Sequence, residues 1–281
     1  MPAVRMSDQE FRVISEFIHQ TWGLKMPPAK RVMLESRLSK RLNRLGLTTF
    51  KEYTEYLFSP LGLENELVHM IDVVSTNKTD FFREPGAFTY MSQHILPEMI
   101  AGRGAGVKKR LMVWSTACST GEEPYTLAMV LSEFSEKYPG FGFDYFILAT
   151  DVSRKVLDKA QRAVYEHERV EAIPFDLRRK FLMKSKDPTQ RLYRVVPELR
   201  SRIRFRHMNL MEDFGLREPM DLIFCRNVII YFERETQAGL LKRLCDQIVD
   251  GGYMIMGHSE TLNGMNLPLV SVAPMIYRKV A

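Results

Sequence analysis

Apolar residues in the first 75 positions recur at helical spacing between cap and break signals. The segment from Ser7 to Glu10 has the composition of a helix N-terminus, and apolar residues follow at helical intervals from Phe11 onward. Proline and glycine residues then separate further helical patterns, which cover about residues 29–45, 49–57 and 61–74. The pattern predicts an all-helical N-terminal domain over residues 1–75.

Beyond residue 75, short apolar runs typical of buried strands alternate with helical patterns. The runs lie at about residues 111–115, 143–150, 221–225 and 253–257, and a stretch at 269–280 predicts a terminal antiparallel hairpin. Such alternation is typical of a parallel sheet covered by helices. We therefore predict a doubly wound α/β domain over residues 91–281, joined to the helical domain by a linker over 76–90.

The strand–helix alternation is interrupted between about residues 162 and 207. A strand candidate at 191–196 is followed by a segment in which Arg200, Arg202, Arg204 and Arg206 alternate with Ser201, Ile203 and Phe205. Alternation with period two predicts a strand with one apolar and one basic face. We interpret the region as a small inserted β subdomain, a hairpin laid on a helix, whose arginine face is either solvated or a docking surface.

The segment over 111–126 carries the clearest chemical signal. It reads as a strand, a loop of small residues, and a helix whose first turn contains Glu122, Glu123 and Pro124. It matches neither the dinucleotide pattern G-x-G-x-x-G nor the P-loop, and its carboxylates would repel a pyrophosphate. The loop suits a cofactor that carries positive charge; the alternative is an ordinary strand–helix turn.

Polar residues of possible functional interest also occur in two other segments. The linker is rich in hydrogen-bonding groups and contains Asn77, Thr79 and Arg83, which could close over a polar ligand or simply connect the domains. Asp151 ends the second strand, where nucleoside-binding α/β folds bind ribose hydroxyls. A solvated acid at a strand end is the alternative reading.

Positive charge is concentrated on the second predicted helix. The chain has a formal net charge of +6 and a pI near 9.2, which suits an acidic partner or nucleic acid. A basic stripe shares one helical face beside a leucine stripe and predicts a substrate-docking surface, the alternative being a solvated face. The four residues of this stripe are Arg37, Lys40, Arg41 and Arg44.

Composition excludes several classes of protein. The three cysteines lie far apart and, like the scattered histidines, have no metal-binding spacing, so we expect no disulfide and no metal site. No stretch resembles a signal peptide or a membrane span. We expect a protein of the reducing cytoplasm without direct membrane insertion.

Several long motifs together resemble the CheR family of chemotaxis receptor glutamate methyltransferases. They occur in the family's order between residues 76 and 260, and the basic helical first domain is also similar. The resemblance implies a Rossmann-like methyltransferase sheet that uses S-adenosylmethionine and releases S-adenosylhomocysteine. The motifs are TNKTDFFRE, STACSTGEEPYTLA, LATDVS, the pair Asn209-Leu210, FCRNVIIYF and GGYMIMGHSE.

The resemblance also implies roles for individual residues. Glu122 would face the amino-acid end of the cofactor, with Glu123 less favoured, and Asp151 would bind the ribose. Arg83 and Tyr231 would orient the reacting groups. The remaining cofactor-binding positions are Asn77, Thr79 and again Arg83 in the linker, Asn209 and Leu210 beside the adenine, and Arg226 and Asn227 after the fourth strand.

The implied reaction is methyl transfer to glutamate side chains in the cytoplasmic domains of chemoreceptors by a monomeric enzyme. The loop over 183–190 lacks the glycine that some family members use to bind a receptor tail peptide, which argues against tethering. A nucleic-acid methyltransferase is the first alternative, although RNVIIY after the fourth strand lacks the Asn/Asp-Pro-Pro-aromatic motif. A cofactor-binding signalling module without turnover is the second.

Overall fold

The N-terminal part of the molecule is a compact set of helices around its own apolar core. A computed structural model describes residues 4–138, 140, 142–187 and 189–280. Helix α1 begins with a capping box between Ser7 and Glu10 and ends at Gly23, whose φ of 71° favours glycine. The helices are α1 (Asp8–Trp22), α2 (Arg31–Leu45), α3 (Phe50–Leu57), α4 (Pro60–Asn65) and α5 (Leu67–Val74).

Two sequence expectations for these helices need correction. The pattern over 61–74 forms two helices rather than one, with Glu66 between them. Arg41 does not lie on an exposed basic face, because its side chain is buried and makes two hydrogen bonds to Glu66 at 2.9 and 2.7 Å. Arg37 is half-buried and donates to the carbonyls of Val74 and Ser75 at the end of α5. Of the predicted stripe, only Lys40 and Arg44 are exposed.

The rest of the chain forms a twisted seven-stranded sheet with helices on both faces. Neighbouring residues of one strand enter different cores, as Val113 and Trp114 of β1 show. Strands β6, β2, β1, β7 and β8 are parallel, and β10 and β9 complete the sheet as the predicted antiparallel hairpin. The strands are β1 (Leu111–Thr116), β2 (Tyr145–Asp151), β6 (Ile203–His207), β7 (Met220–Cys225), β8 (Ile248–Met256), β9 (Leu269–Ala273) and β10 (Ile276–Lys279).

Helices connect these strands and cover the sheet. A π-helix at Met91–Ile95 separates the first two of them, and a 3₁₀ turn at Ile229–Tyr231 follows β7. The helices are α6 (Gly86–Tyr90), α7 (Leu96–Arg103), α8 (Glu122–Lys137), α9 (Arg154–Arg162) and α13 (Arg234–Asp246). None of the helices in the described part of the chain combines the length and apolar character needed to cross a bilayer.

The direction of chain progression reverses between β1 and β7. From β1 the chain moves outward to β2 and β6, and it then returns to add β7 and β8 on the opposite side of β1. The loops after β1 and β7 therefore diverge and leave a crevice at the carboxyl ends of the strands, which is where open α/β sheets bind ligands.

The inserted subdomain is smaller than the sequence suggested. Its three-stranded sheet has the order β3-β5-β4, whereas β6, with its alternating arginines, pairs in parallel with β2 in the main sheet. The prediction of a hairpin reaching residue 207 is wrong, because Ile203 and Phe205 face the main core. The predicted loop over 183–190 includes residue 188, which lies outside the described residues. The elements are β3 (Val164–Glu166), α10 (His167–Val170), α11 (Phe175–Phe181), β4 (Leu182–Lys184), β5 (Leu192–Val195) and α12 (Pro197–Arg200).

Candidate active site

A deep cleft lies over the carboxyl ends of β1, β2 and β7. It is covered by the N-terminal helices α1 to α5, called here the helical unit, and by the segment 74–83. Residues far apart in sequence share its walls, including Trp22 of α1 and Met208 after β6. With the exception of Glu122, each cofactor or catalytic position suggested by the sequence lines it. These residues are Asn77, Thr79, Arg83, Asp151, Asn209, Leu210, Arg226, Asn227 and Tyr231.

The loop after β1 is tightly wound and lies against the linker. Ala117 and Ser119 both have φ of 50°, and Gly121 has φ of 97°. A Cβ at Gly121 would come within 2.9 Å of the Ala160 Cβ, so only glycine fits this turn. The Ser119 hydroxyl donates to the carbonyl of Asn77 at 3.0 Å. The strand–loop–helix prediction is confirmed, and the loop is held directly against one wall of the cleft.

Asp151 is buried at the end of β2 and already accepts backbone hydrogen bonds. Its two carboxylate oxygens accept from the amides of Ser119 and Ser153, each at 2.9 Å. Burial raises the pKa of Asp151 to about 6 in spite of these bonds. An ionised carboxylate has further lone pairs, so Asp151 can still accept from hydroxyls in the cleft.

The two glutamates at the start of α8 point in different directions. Glu122 is buried but lies outside the cleft, where its carboxylate accepts from Arg169 and from the Thr120 hydroxyl. Glu123 lines the cleft and accepts from Ser115 at 2.7 Å. Of the two, only Glu123 lines the cleft, whereas the resemblance favoured Glu122; the side chains differ because successive residues on a helix point about 100° apart.

Arg226, which follows β7, is buried and makes hydrogen bonds to the linker and to the start of α8. Its side chain is 1% exposed and donates to Glu123 at 3.0 Å, to Glu84 at 2.9 Å and to the carbonyl of Arg83. Its guanidinium also lies over the ring of Phe88 at 5.3 Å. Burial raises the pKa of Glu123, and the charge of Arg226 opposes that rise. Arg226 therefore ties the linker and the start of α8 to the end of β7.

Glu260 organises the loop after β7, a role that the sequence reasoning missed. Its carboxylate accepts from the amides of Asn227, Val228, Ile229 and Gly257 at 2.7 to 2.9 Å. Asn227 is left-handed, with φ of 57°. The available signal was the HSE sequence at the end of the GGYMIMGHSE motif. This anchoring sets the backbone path toward Tyr231.

The helical unit supplies the remaining walls. The Asn209 amide donates to the carbonyl of Thr21 at 2.8 Å, so this side chain joins the two parts of the molecule. Trp22, Leu24 and Leu210 form an apolar section of the cleft. Such a section suits a flat heterocycle.

Tyr231 lies where the helical unit meets the loop after β7. Its carbonyl accepts from the amide of Lys25 at 2.9 Å, and the Lys30 ammonium lies 5.6 Å from the centre of its ring. Burial, followed by the nearby charges of Lys25 and Arg37, lowers the pKa of Lys30. Lys30 also lines the cleft, although the sequence did not point to it as a site residue.

The cleft contains charges of both signs. Asp151 and Glu123 are buried or nearly so, with the Glu123 side chain 13% exposed, and Arg226 lies buried beside Glu123. Lys78 is exposed, and the Arg83 side chain is 33% exposed. The buried carboxylates can therefore receive a positive group, and Lys78 and Arg83 can receive an anion.

Comparison with known proteins identifies the family. A family model described as CheR methyltransferase, SAM binding domain, matches residues 77–274, and one described as CheR methyltransferase, all-alpha domain, matches residues 9–75. The chain belongs to the CheR methyltransferase family. It is 34% identical over 277 residues to the chemotaxis protein methyltransferase of Borreliella burgdorferi, and the alignment covers 98% of this chain and 96% of the relative. It is 36% identical over 259 residues to that of Escherichia coli K12, with 92% and 86% covered.

The cofactor of the CheR family is S-adenosylmethionine, and the cleft fits it chemically. The sulfonium and ammonium groups of this molecule are positive, which matches the buried carboxylates of Glu123 and Asp151. The apolar section suits its adenine. Among the described residues, no group of three or more His, Cys, Asp or Glu side chains could hold a metal ion.

Proposed function

We propose that this CheR-family chain methylates glutamate side chains in the cytoplasmic domains of chemoreceptors, giving glutamyl methyl esters and S-adenosylhomocysteine. The observation that carries the proposal is that the buried carboxylates of Asp151 and Glu123 share one cleft with the more exposed cations Lys78 and Arg83. A cationic cofactor would lie against the carboxylates, and an anionic side chain would lie beside the cations. The relatives are named chemotaxis protein methyltransferases, which supports a chemoreceptor as substrate.

The residues divide the work as follows. When bound, S-adenosylmethionine supplies an electrophilic methyl group on its sulfonium. A glutamate is already ionised at pH 7, so the protein needs no strong general base. Arg83 would hold the acceptor carboxylate or the cofactor carboxylate, and Tyr231 would orient the acceptor. Alignment and exclusion of water can supply about 7 to 11 kcal/mol of the barrier in well-oriented reactions.

The proposed cofactor contacts come from both sides of the cleft. Asp151 would accept from the ribose hydroxyls, and Glu123, which lines the cleft, would take the amino-acid end in place of Glu122. Leu210 would pack on the adenine. The proposed lining contributions from the other segments are those of Asn77, Thr79, Asn209, Arg226 and Asn227.

The decisive test is transfer of labelled methyl groups to isolated receptor cytoplasmic domains, followed by peptide mapping of the base-labile ester. Label on glutamate supports the proposal. Transfer to nucleic acid instead of receptor, with steeply salt-dependent binding, would favour the first alternative. Cofactor binding without a single turnover on any receptor domain would favour the non-catalytic module.

We keep four further expectations as proposals. The chain would act in the cytoplasm as a monomer, with domains over 1–75 and 91–281. Tail-peptide tethering is not expected, because the turn between β4 and β5 is built on Asp187, which accepts from the amide of Thr189 at 2.9 Å, and contains no glycine.

Affinity for S-adenosylmethionine is expected to fall as the pH drops through about 6. Asp151 has a raised pKa of about 6, so it is ionised at pH 7.5 and protonated at pH 5, where it accepts ribose hydroxyls less well. Asp151→Asn should weaken binding at pH 7.5 by about 1.5 to 3 kcal/mol and flatten this part of the profile. Calorimetry at both pH values tests this, and an unchanged affinity in the folded variant would remove Asp151 from the ribose site.

Tyr231→Phe is expected to lower turnover by at least about tenfold while leaving cofactor affinity within about twofold. An orienting hydroxyl acts mainly on the transition state, which affects kcat more than binding. Initial rates at saturating receptor and calorimetry with S-adenosylmethionine separate the two effects. Equal losses of cofactor affinity and turnover would contradict a catalytic role.

Lys40 and Arg44 remain as the proposed docking surface. Receptor methylation regions are, by family resemblance, acidic helical bundles, so Lys40→Glu with Arg44→Glu should raise the KM for receptor and flatten its salt dependence. Each exposed contact contributes about 0.2 to 1 kcal/mol. The matched control is Lys155→Glu with Lys159→Glu, an exposed pair of equal spacing on α9. Equal curves for both double variants would reject the docking role.

A further inference from the structure

We infer that Arg169, in the inserted subdomain, is a positioning residue for the cofactor site. This inference rests on the proposed function in one respect: it takes the cleft as the place where S-adenosylmethionine binds. No sequence motif pointed to this residue. Its position in the fold is what connects it to the site.

Arg169 lies on α10 and forms a three-way clamp. Its guanidinium donates to the Asp80 carboxylate at 3.0 Å, and a second nitrogen donates to the Thr79 carbonyl and the Glu122 carboxylate, both at 2.5 Å. Thr79 and Asp80 belong to the linker, and Glu122 opens α8. One side chain thus joins α10 to two segments whose contacts lie 47 and up to 90 positions away in sequence.

Arg169 contacts two residues that form part of the cleft wall. Thr79 and Asp80 line the cleft, whereas Arg169 and Glu122 do not line it and lie behind this part of the wall. Holding the Thr79 carbonyl from behind sets the orientation of this peptide, and with it the direction of the Thr79 side chain. Glu122 is 1% exposed, so Arg169 also neutralises a buried carboxylate beside the cofactor loop.

Tyr165 supports the same assignment from the preceding strand. Its hydroxyl donates to the Thr120 carbonyl at 2.8 Å, and its ring packs edge-on against Phe81 of the linker, with centroids 4.9 Å apart. The start of the inserted subdomain therefore contacts both the linker and the loop after β1. Without these contacts, binding would have to order the linker at a cost in affinity.

A positioning role predicts a loss of affinity without a loss of turnover. In the full-length chain, Arg169→Gln should raise the Kd for S-adenosylmethionine, measured by calorimetry, at least tenfold. The kcat at saturating cofactor should stay within twofold. Arg169→Lys keeps the charge but not the planar fork, so it should raise the Kd at least threefold and less than Arg169→Gln does.

Arg191→Gln is the matched control. Arg191 belongs to the same subdomain and forms an exposed pair with Glu168 at 3.6 Å, so its Kd should stay within twofold of the parent. If Arg169→Gln fails to fold, Arg169→Lys and Tyr165→Phe carry the test, each with an expected rise of at least threefold.

Three outcomes would overturn the inference. These are a folded Arg169→Gln variant with a Kd within twofold of the parent, the same loss in Arg191→Gln, or a fall in kcat with an unchanged Kd. If the parent itself bound no S-adenosylmethionine, the proposed function would fail before the role of Arg169 was reached. The two failures are therefore distinguishable.

Discussion

Arg41→Ala is expected to destabilise the helical unit by about 3 to 5 kcal/mol, because it leaves a buried carboxylate without its counter-charge. Glu66 is 1% exposed, and both of its oxygens accept from the Arg41 guanidinium, with a further bond from the Tyr53 hydroxyl at 3.1 Å. Arg41→Glu would place a second carboxylate beside Glu66 and should prevent folding of this unit. The free energy of unfolding in urea measures the effect.

Arg44→Ala is the matched control for Arg41. It lies three residues further along α2 but is exposed, so the change should stay within about 0.5 kcal/mol. The double variant Arg41→Met with Glu66→Gln removes both charges and should recover most of the loss. Equal destabilisation by Arg41→Ala and Arg44→Ala would show that the buried pair does not matter.

Arg226→Met is expected to abolish measurable cofactor binding and to cost about 3 to 5 kcal/mol of stability. The change leaves Glu84 and Glu123 without their shared counter-charge at the wall of the cleft. Burial already raises the pKa of Glu123, and loss of Arg226 removes a charge that lowers it. The penalty is therefore fully present at high pH and should shrink as the pH falls and the carboxyl groups become protonated.

Arg202→Met tests whether any ion pair on the sheet would behave in this way. Arg202 also contacts an acid, Asp144, and an aromatic ring, Tyr145, but its side chain is 42% exposed. Its replacement should cost no more than about 1 kcal/mol and leave cofactor affinity unchanged. Urea unfolding at pH 5 and pH 8, with calorimetry on each variant, makes the comparison. A pH-independent loss in Arg226→Met would contradict the assigned cause.

The local pattern was enough to predict most elements because it reflects forces acting within a few residues. The capping box at Ser7, the small-residue loop before Glu122 and the terminal hairpin were all predicted. The acid at the end of β2 and the polar pair after β7 were placed at one edge of a parallel sheet, where strand ends must meet.

The sequence-based predictions were wrong where a property of a residue depends on a partner that is distant in sequence. Arg41 and Arg44 look alike in the stripe, yet only Arg41 meets Glu66, 25 residues away. The alternating arginines of β6 read as a hairpin because period two does not show which strand will pair with it.

The sequence by itself determined the order of helices and strands, the position of the cofactor loop and the family, since these depend on residue type and spacing. The tertiary structure alone decided which of Glu122 and Glu123 faces the cleft and which members of the basic stripe are buried. It also showed that Lys30 lines the cleft, that Glu260 holds the loop after β7, and that Arg169 contacts Glu122. The physical reason is that burial and ion pairing are set by what packs opposite a side chain, and a pattern along the chain does not contain that information.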